Sequence, residues 1–300
     1  MSEVLGPYGK RLTLGSFTDG SLSSANAILV MRRIALNPFD TRRISSEEAK
    51  SHILKWATNT NLGQEANGGE LRVASAQRRT AAAKALEKAQ PGQGESESWK
   101  SIRFTLTPEW RLAIGLGDKA GLSEIGLSLH GTYGFPIIPG SSLKGLLRHW
   151  VSDQDQRAIS KEDIIRIFGS ELPSQAPDSQ TVQGKGSVIF FDAIPSAARA
   201  VQVAEDVVTP HYKPYYERYS TTEAREKGTA PAPPVGWNNP VPASFLTVGP
   251  DSGEFMGCLA GPKEDVETVF NWLARCLDSE GIGAKTAVGY GYVSIKRQDG

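Results

Sequence analysis

Lys144 and Arg148 stand four residues apart within Pro139-Gly-Ser-Ser-Leu-Lys-Gly-Leu-Leu-Arg148. If a helix starts behind Gly140, capped by Ser141 or Ser142, both cations fall on one side of it, a turn apart. A helix start exposes backbone N–H groups and the positive end of the dipole, so it favours an anion. Together these features make a phosphate track. A well-capped amphipathic helix with solvated charges has the same spacing, and spacing alone does not choose between the two. The second chemical stretch is Gly281-Ile-Gly-Ala-Lys-Thr-Ala-Val-Gly-Tyr-Gly291. It looks like a phosphate-binding P-loop, but Ala284 stands where the last glycine belongs, and the loop leaves a helix to enter a strand. Nucleotide hydrolysis is therefore excluded. Glycines around Lys285 and Thr286 still let backbone approach a polyanion closely, or merely close a sheet.

Four histidines are present: His52, His130, His149 and His211. Metal-free acid–base catalysis wants a histidine beside a Lys, Tyr or Ser that shares proton transfer. His211, followed by Tyr212 and Lys213, has the best neighbours, although sequence neighbours need not converge in space. His149, next to Arg148 at a helix, reads as a contact residue. Asp192 is a lone carboxylate at a strand end, a weak metal ligand without a second acid in register. Asp40, in Asn37-Pro-Phe-Asp40, matches no catalytic pattern clearly. No catalysis, no metal and no cofactor are expected. Tyr212, Tyr215, Tyr216 and Tyr219, with Lys213 and Arg218, could stack on bases or anchor a protein interface.

These residues need elements to position them. Residues 45–56 read as a helix with Ser45 as cap and Glu48 at capping-box spacing, and 70–89 as an Ala-rich basic helix. Residues 91–98 are a linker by composition. At 101 the pattern changes to strand alternation, with Ile102, Phe104 and Leu106 on one side. Residues 111–116 suggest a second strand. Leu143, Leu146, Leu147, Trp150 and Val151 make one buried helical stripe. A short helix at 160–168 is capped by Ser160 and stopped by Gly169. Residues 187–194 read as a central strand, 243–248 and 254–260 as two strands around a turn. A helix follows over 263–280, ended by Gly281, and then a strand over 290–296. The order is that of a ferredoxin-like (RRM-like) β-α-β-β-α-β core, an α+β fold. Residues 1–98 are expected to be a helical N-terminal extension and linker. Residues 99–300 would form the domain, with insertions at about 170–186 and 207–240.

The formal net charge is zero, so composition does not announce a nucleic-acid binder, although a local basic groove is compatible with it. Cys258 and Cys276 are the only cysteines, which suggests a reducing compartment and buried, inert thiols. No leader and no membrane-length apolar run is seen, so a cytoplasmic protein is expected.

The two motifs, in this order and about 140 residues apart, resemble the RAMP superfamily of CRISPR effectors. Its members share the Pro-Gly-Ser-Ser-Leu-Lys-Gly-x-Leu-Arg helix start and the Gly-x-Gly-Ala-Lys-Thr-x-x-Gly-Tyr-Gly loop. Phe190-Phe-Asp-Ala193, Asp206-Val-Val-Thr-Pro-His-Tyr212 and Pro240-Val-Pro-Ala-Ser-Phe-Leu-Thr-Val248 add to the likeness, which spans about 130–295. The resemblance implies a non-catalytic, RNA-binding subunit of a type III-B effector complex in antiviral defence. It would hold the 3′ part of the guide RNA and meet target RNA and neighbouring subunits. Carried over by position, Gly140, Ser141, Ser142, Lys144 and Arg148 would line the guide path, with the loop residues Gly283, Lys285, Thr286, Gly289 and Tyr290. His211, Tyr212 and Lys213 would add contacts. The alternative is a metal-free repeat-processing endoribonuclease using His211 or His149.

Overall fold

The computed structural model describes residues 4–5, 11–12, 22, 25–34, 46–63, 69–89, 98–117, 119–120, 123–124, 127–154, 159–170, 184–209, 240 and 242–298. Most of the two expected insertions, with His211, Tyr212 and Lys213, lies outside these residues, as do Asp40 and the Ser45 cap. In chain order the main elements begin with α1 (Ser46–Asn59), α2 (Glu70–Ala89), β1 (Trp99–Pro108), α3 (Gly140–Asp153) and α4 (Lys161–Phe168). They continue with β2 (Ile189–Phe190), β3 (Ile194–Pro195), β4 (Val203–Val208), β5 (Ala243–Val248), β6 (Phe255–Pro262), α5 (Lys263–Glu280) and β7 (Val293–Gln298).

The five-stranded sheet runs β7-β1-β6-β2, with β3 also on β6, and every pairing is antiparallel. Strand alternation gives β1 two faces. Ile102, Phe104 and Leu106 are buried on one, where the Phe104 ring lies 6.1 Å from Phe270 of α5. On the other, the Ser101 N–H and hydroxyl both donate to Glu87 of α2, each at 2.6 Å. Both faces of the sheet are therefore covered. Alanine makes the second contact close: Ala76 and Ala83 of α2 are buried. Ile53, Leu54 and Trp56 of α1 join the same core cluster as β1 and α5.

Two strand expectations are corrected. Residues 111–116 form no ladder, because Leu112 bridges Val248, Ala113 bridges Ala284 and Ile114 bridges Leu127, three different segments. The strand at 187–194 is an edge strand and is broken: Phe191 donates its N–H to the Cys258 carbonyl, and Ala193 bridges Ile138. Strands β5 and β6 flank the expected turn, and each pairs elsewhere: β5 with β4 over six register partners and β6 with β1 over eight.

The helices follow the sequence more closely. The Ser160 hydroxyl accepts the Asp163 N–H, and Gly169 at φ 90° closes α4. One cap is corrected: α3 begins at Gly140 with Pro139 in the cap position, and neither Ser141 nor Ser142 caps it. The Pro139 carbonyl already takes the Ser142 and Leu143 N–H groups. Cys258 and Cys276 are free and buried, and burial pushes both thiols up to about 12. Among the described residues, no helix is long and apolar enough to cross a membrane.

Candidate functional site

Gly140 sits where nothing larger fits, since a Cβ there would lie 2.3 Å from the Phe190 carbonyl oxygen. Its N–H donates to Asp192 Oδ1 at 2.8 Å. The protein's own carboxylate therefore uses part of the attraction that a helix start exerts on anions. Beyond it, Ser141 is exposed and Ser142 half-buried. Lys144 and Arg148 are half-buried, and Lys185 comes within their field from an exposed segment that a bridge to Gly169 holds in place. Burial, then Arg148 and Lys185, draw the Lys144 ammonium below its ordinary value. Lys144 thus stands in the field of two other cations beside α3. His149 is exposed.

The second motif is pinned at both ends against residues 111–113. The Ala284 N–H donates to the Ala113 carbonyl at 2.8 Å, and the Gly291 N–H to the Arg111 carbonyl at 2.8 Å. Gly283, at φ 97°, could not carry a Cβ, which would lie 2.4 Å from the Ala113 oxygen. Between the pins Lys285 takes a left-handed conformation (φ 64°, ψ 30°) before the single 3-10 turn Thr286–Val288. Its Nζ lies 5.5 Å from the centre of the Phe245 ring. Thr286 is half-buried, and Gly289 is exposed.

Tyr290 is buried beneath this turn, and its hydroxyl donates to Asp206 Oδ2 at 2.5 Å. Burial and the Asp206 carboxylate push the phenol up to about 12. Burial also pushes Asp206 up, but the Tyr290 hydroxyl, the Val207 N–H, Arg111 and Lys285 outweigh it. The carboxyl is held below its usual range. Tyr290 and Asp206 thus support the loop from below.

The structure also brings together residues that sequence spacing did not connect. Arg79 of α2 lies over the Phe191 ring, 5.1 Å from its centre. Its neighbour Arg78 donates to the Tyr133 hydroxyl at 2.5 Å. Tyr133 stacks on His130 at 4.8 Å and on Phe135 at 5.7 Å. A cavity of about 390 Å³ opens among Arg78, Arg79, His130, Tyr133 and Phe191. The basic run in α2 was the available signal, but nothing in the sequence ties it to residues 130 and 191. Trp110, 44% exposed and 5.1 Å from Tyr290, was also missed. Among the described residues, no group of three or more His, Cys, Asp or Glu side chains could hold a metal ion.

The chain is 31% identical over 227 residues to the CRISPR system Cmr subunit Cmr6 of Pyrococcus furiosus, 60% of this chain and 64% of that one. It is 26% identical over 205 residues to the Cmr6 subunit of Saccharolobus solfataricus, 68% of this chain and 61% of that one. It thus spans somewhat over six tenths of the length of these curated relatives. In fold it is similar to a chain in a cryo-EM structure of the type III-B Cmr-beta complex bound to cognate target RNA. The TM-score is 0.57 at 18% identity, covering 95% of this chain and 89% of that one. Residues 105–294, more than half of the sequence, match the profile of the RAMP superfamily, and the chain belongs to that superfamily.

Proposed function

We propose that this chain is a non-catalytic, RNA-binding subunit of a type III-B CRISPR effector complex, the counterpart of its sixth subunit. It holds the 3′ part of the guide RNA and meets target RNA and neighbouring subunits. Both curated relatives carry the name of that subunit. The core is ferredoxin-like, a reading supported by the sheet order β7-β1-β6-β2 and by α3 and α5 at the two crossovers. Residues 1–98 form an extension to that core. Its helix α2 packs on the sheet face opposite α5, the surface that RRM-type folds offer to bases. RNA is therefore left to the loops and helix starts.

The observation that carries the proposal is the cluster of Lys144, Arg148 and Lys185 beside a glycine-opened helix start. Arg148 and Lys185 both act against the charge on Lys144, and a phosphate backbone laid beside it would offset that repulsion. The loop at Lys285 offers a second cation on a backbone set by glycines. Both motifs would read backbone, and base pairing would read sequence.

The test is one titration of the full chain with a labelled guide-like RNA, without metal, followed by anisotropy and by RNA integrity. Salt-sensitive binding of intact RNA is expected. Lys144→Ala and Lys285→Ala should each weaken it and reduce the slope of log K against log salt by about 0.7. Binding that ignores salt would leave only a structural role. Discrete cleavage, abolished by His211→Ala or His149→Ala, would make the chain an endoribonuclease.

A further inference from the structure

The cavity between α2 and the 130–133 turn adjoins the first motif through a short chain of contacts. Phe191 lines it, and the next residue, Asp192, accepts the Gly140 N–H at the start of α3. The surrounding chemistry is planar and rich in donors. Arg79 presents a guanidinium plane over Phe191, and Tyr133 is stacked on His130. The Tyr133 hydroxyl accepts from Arg78, so its own proton is available to donate. His130 Nδ1 accepts the Thr132 and Tyr133 N–H groups, which leaves the ring proton on Nε2. Burial, then the nearby Arg79, favour that neutral ring, against a smaller opposing pull from Asp192. The cavity volume lies within the range of small-ligand sites.

We propose that this cavity receives one unstacked base of the bound RNA and prefers a base with a carbonyl at O4 or O6, uracil or guanine, over one with an amino group there, cytosine or adenine. Stacking against Arg79 or Tyr133 is open to any base and sets the affinity. Discrimination comes from the donors: Arg78, Arg79, the Tyr133 hydroxyl and His130 Nε2–H suit the carbonyl at uracil O4 or guanine O6. An exocyclic amino group at the same position would meet donors with a donor. This site lies outside both glycine motifs. It rests on the reading of the chain as an RNA binder and deepens it.

The test compares two unstructured probes, twelve-residue oligouridylate and oligocytidylate, whose bases differ in the group at position 4 and in the proton on N3. Anisotropy titrations with the full chain at several salt concentrations should show about tenfold tighter binding of oligouridylate. Arg79→Lys keeps the charge and removes the planar fork. It should erase the preference while leaving the salt slope unchanged, and Tyr133→Phe should reduce the preference. Lys144→Ala should weaken both probes equally and leave their ratio intact, and a thermal melt of each variant confirms that it is folded. If both probes bind with strong salt dependence but equally well, the base site is overturned and the RNA-binding reading stands. A preference that survives Arg79→Lys in a folded variant overturns it too. If neither probe binds, the RNA-binding reading fails and the base site with it.

Discussion

Lys144 carries its charge, and Lys285 its backbone conformation, at a cost to the fold. Lys144 lies near Arg148 and Lys185, and Lys285 occupies a left-handed conformation that a side chain with a Cβ enters at about 1–2 kcal/mol. Replacing Lys144 with Gln should leave stability to urea unchanged or raise it by about 0.2–0.5 kcal/mol, while RNA affinity falls. Lys285→Asn separates backbone from charge, since asparagine tolerates the left-handed region. The loop should keep its thermal midpoint and lose the contribution of the cation. A fall in midpoint of several degrees would show that the contact over Phe245 holds the loop together. Both lysines were legible from spacing. The supports of the loop were not: nothing in the sequence foretold that Tyr290 would be buried against Asp206, eighty-four residues away. The cavity among Arg79, His130 and Phe191 was illegible for the same reason, being assembled from three distant segments.

Elements with strong local signals came out as their residues dictate. Helix α2 spans the expected 70–89, α5 the expected 263–280, and α4 has the expected serine cap and glycine stop. Strands were harder, because their partners are chosen by long-range pairing and not by local pattern. The run 187–194 is apolar enough for a central strand, yet the chain turns aside at Asp192 to meet Gly140. The Ala-rich composition of α2 read only as helix propensity, whereas its structural use is close approach to the sheet. Ala83 is 1% exposed there, so Ala83→Leu should overpack the contact. A loss of about 1–3 kcal/mol in urea unfolding is expected. An unchanged midpoint would mean that α2 rests on the sheet loosely.

Across the whole molecule the formal charges cancel, so electrostatic contacts depend on local clusters and not on net charge. One such cluster ties the sheet together. Glu267 of α5 pairs with Lys100 of β1 at 2.5 Å and with Arg297 of β7 at 2.8 Å. The Arg297 hydrogen bonds first, then Lys100, hold its carboxyl at about 2 against the ordinary 4.5, with burial opposing them. A depressed carboxylate stabilises the fold above its unfolded value, and that stability is lost as the pH falls through the folded one. Stability should therefore decline between pH 4.5 and 2, and Glu267→Gln should flatten that decline in acid titrations followed by circular dichroism. These side chains are about a third exposed, so added salt should shrink the effect. The broken strand at residues 189–195 has a consequence of its own. Each piece is only two residues long, and the second ends in Pro195, which has no N–H to give. A border so interrupted is a poor template for a foreign strand. Along this margin the fold is thereby protected from growing into fibres.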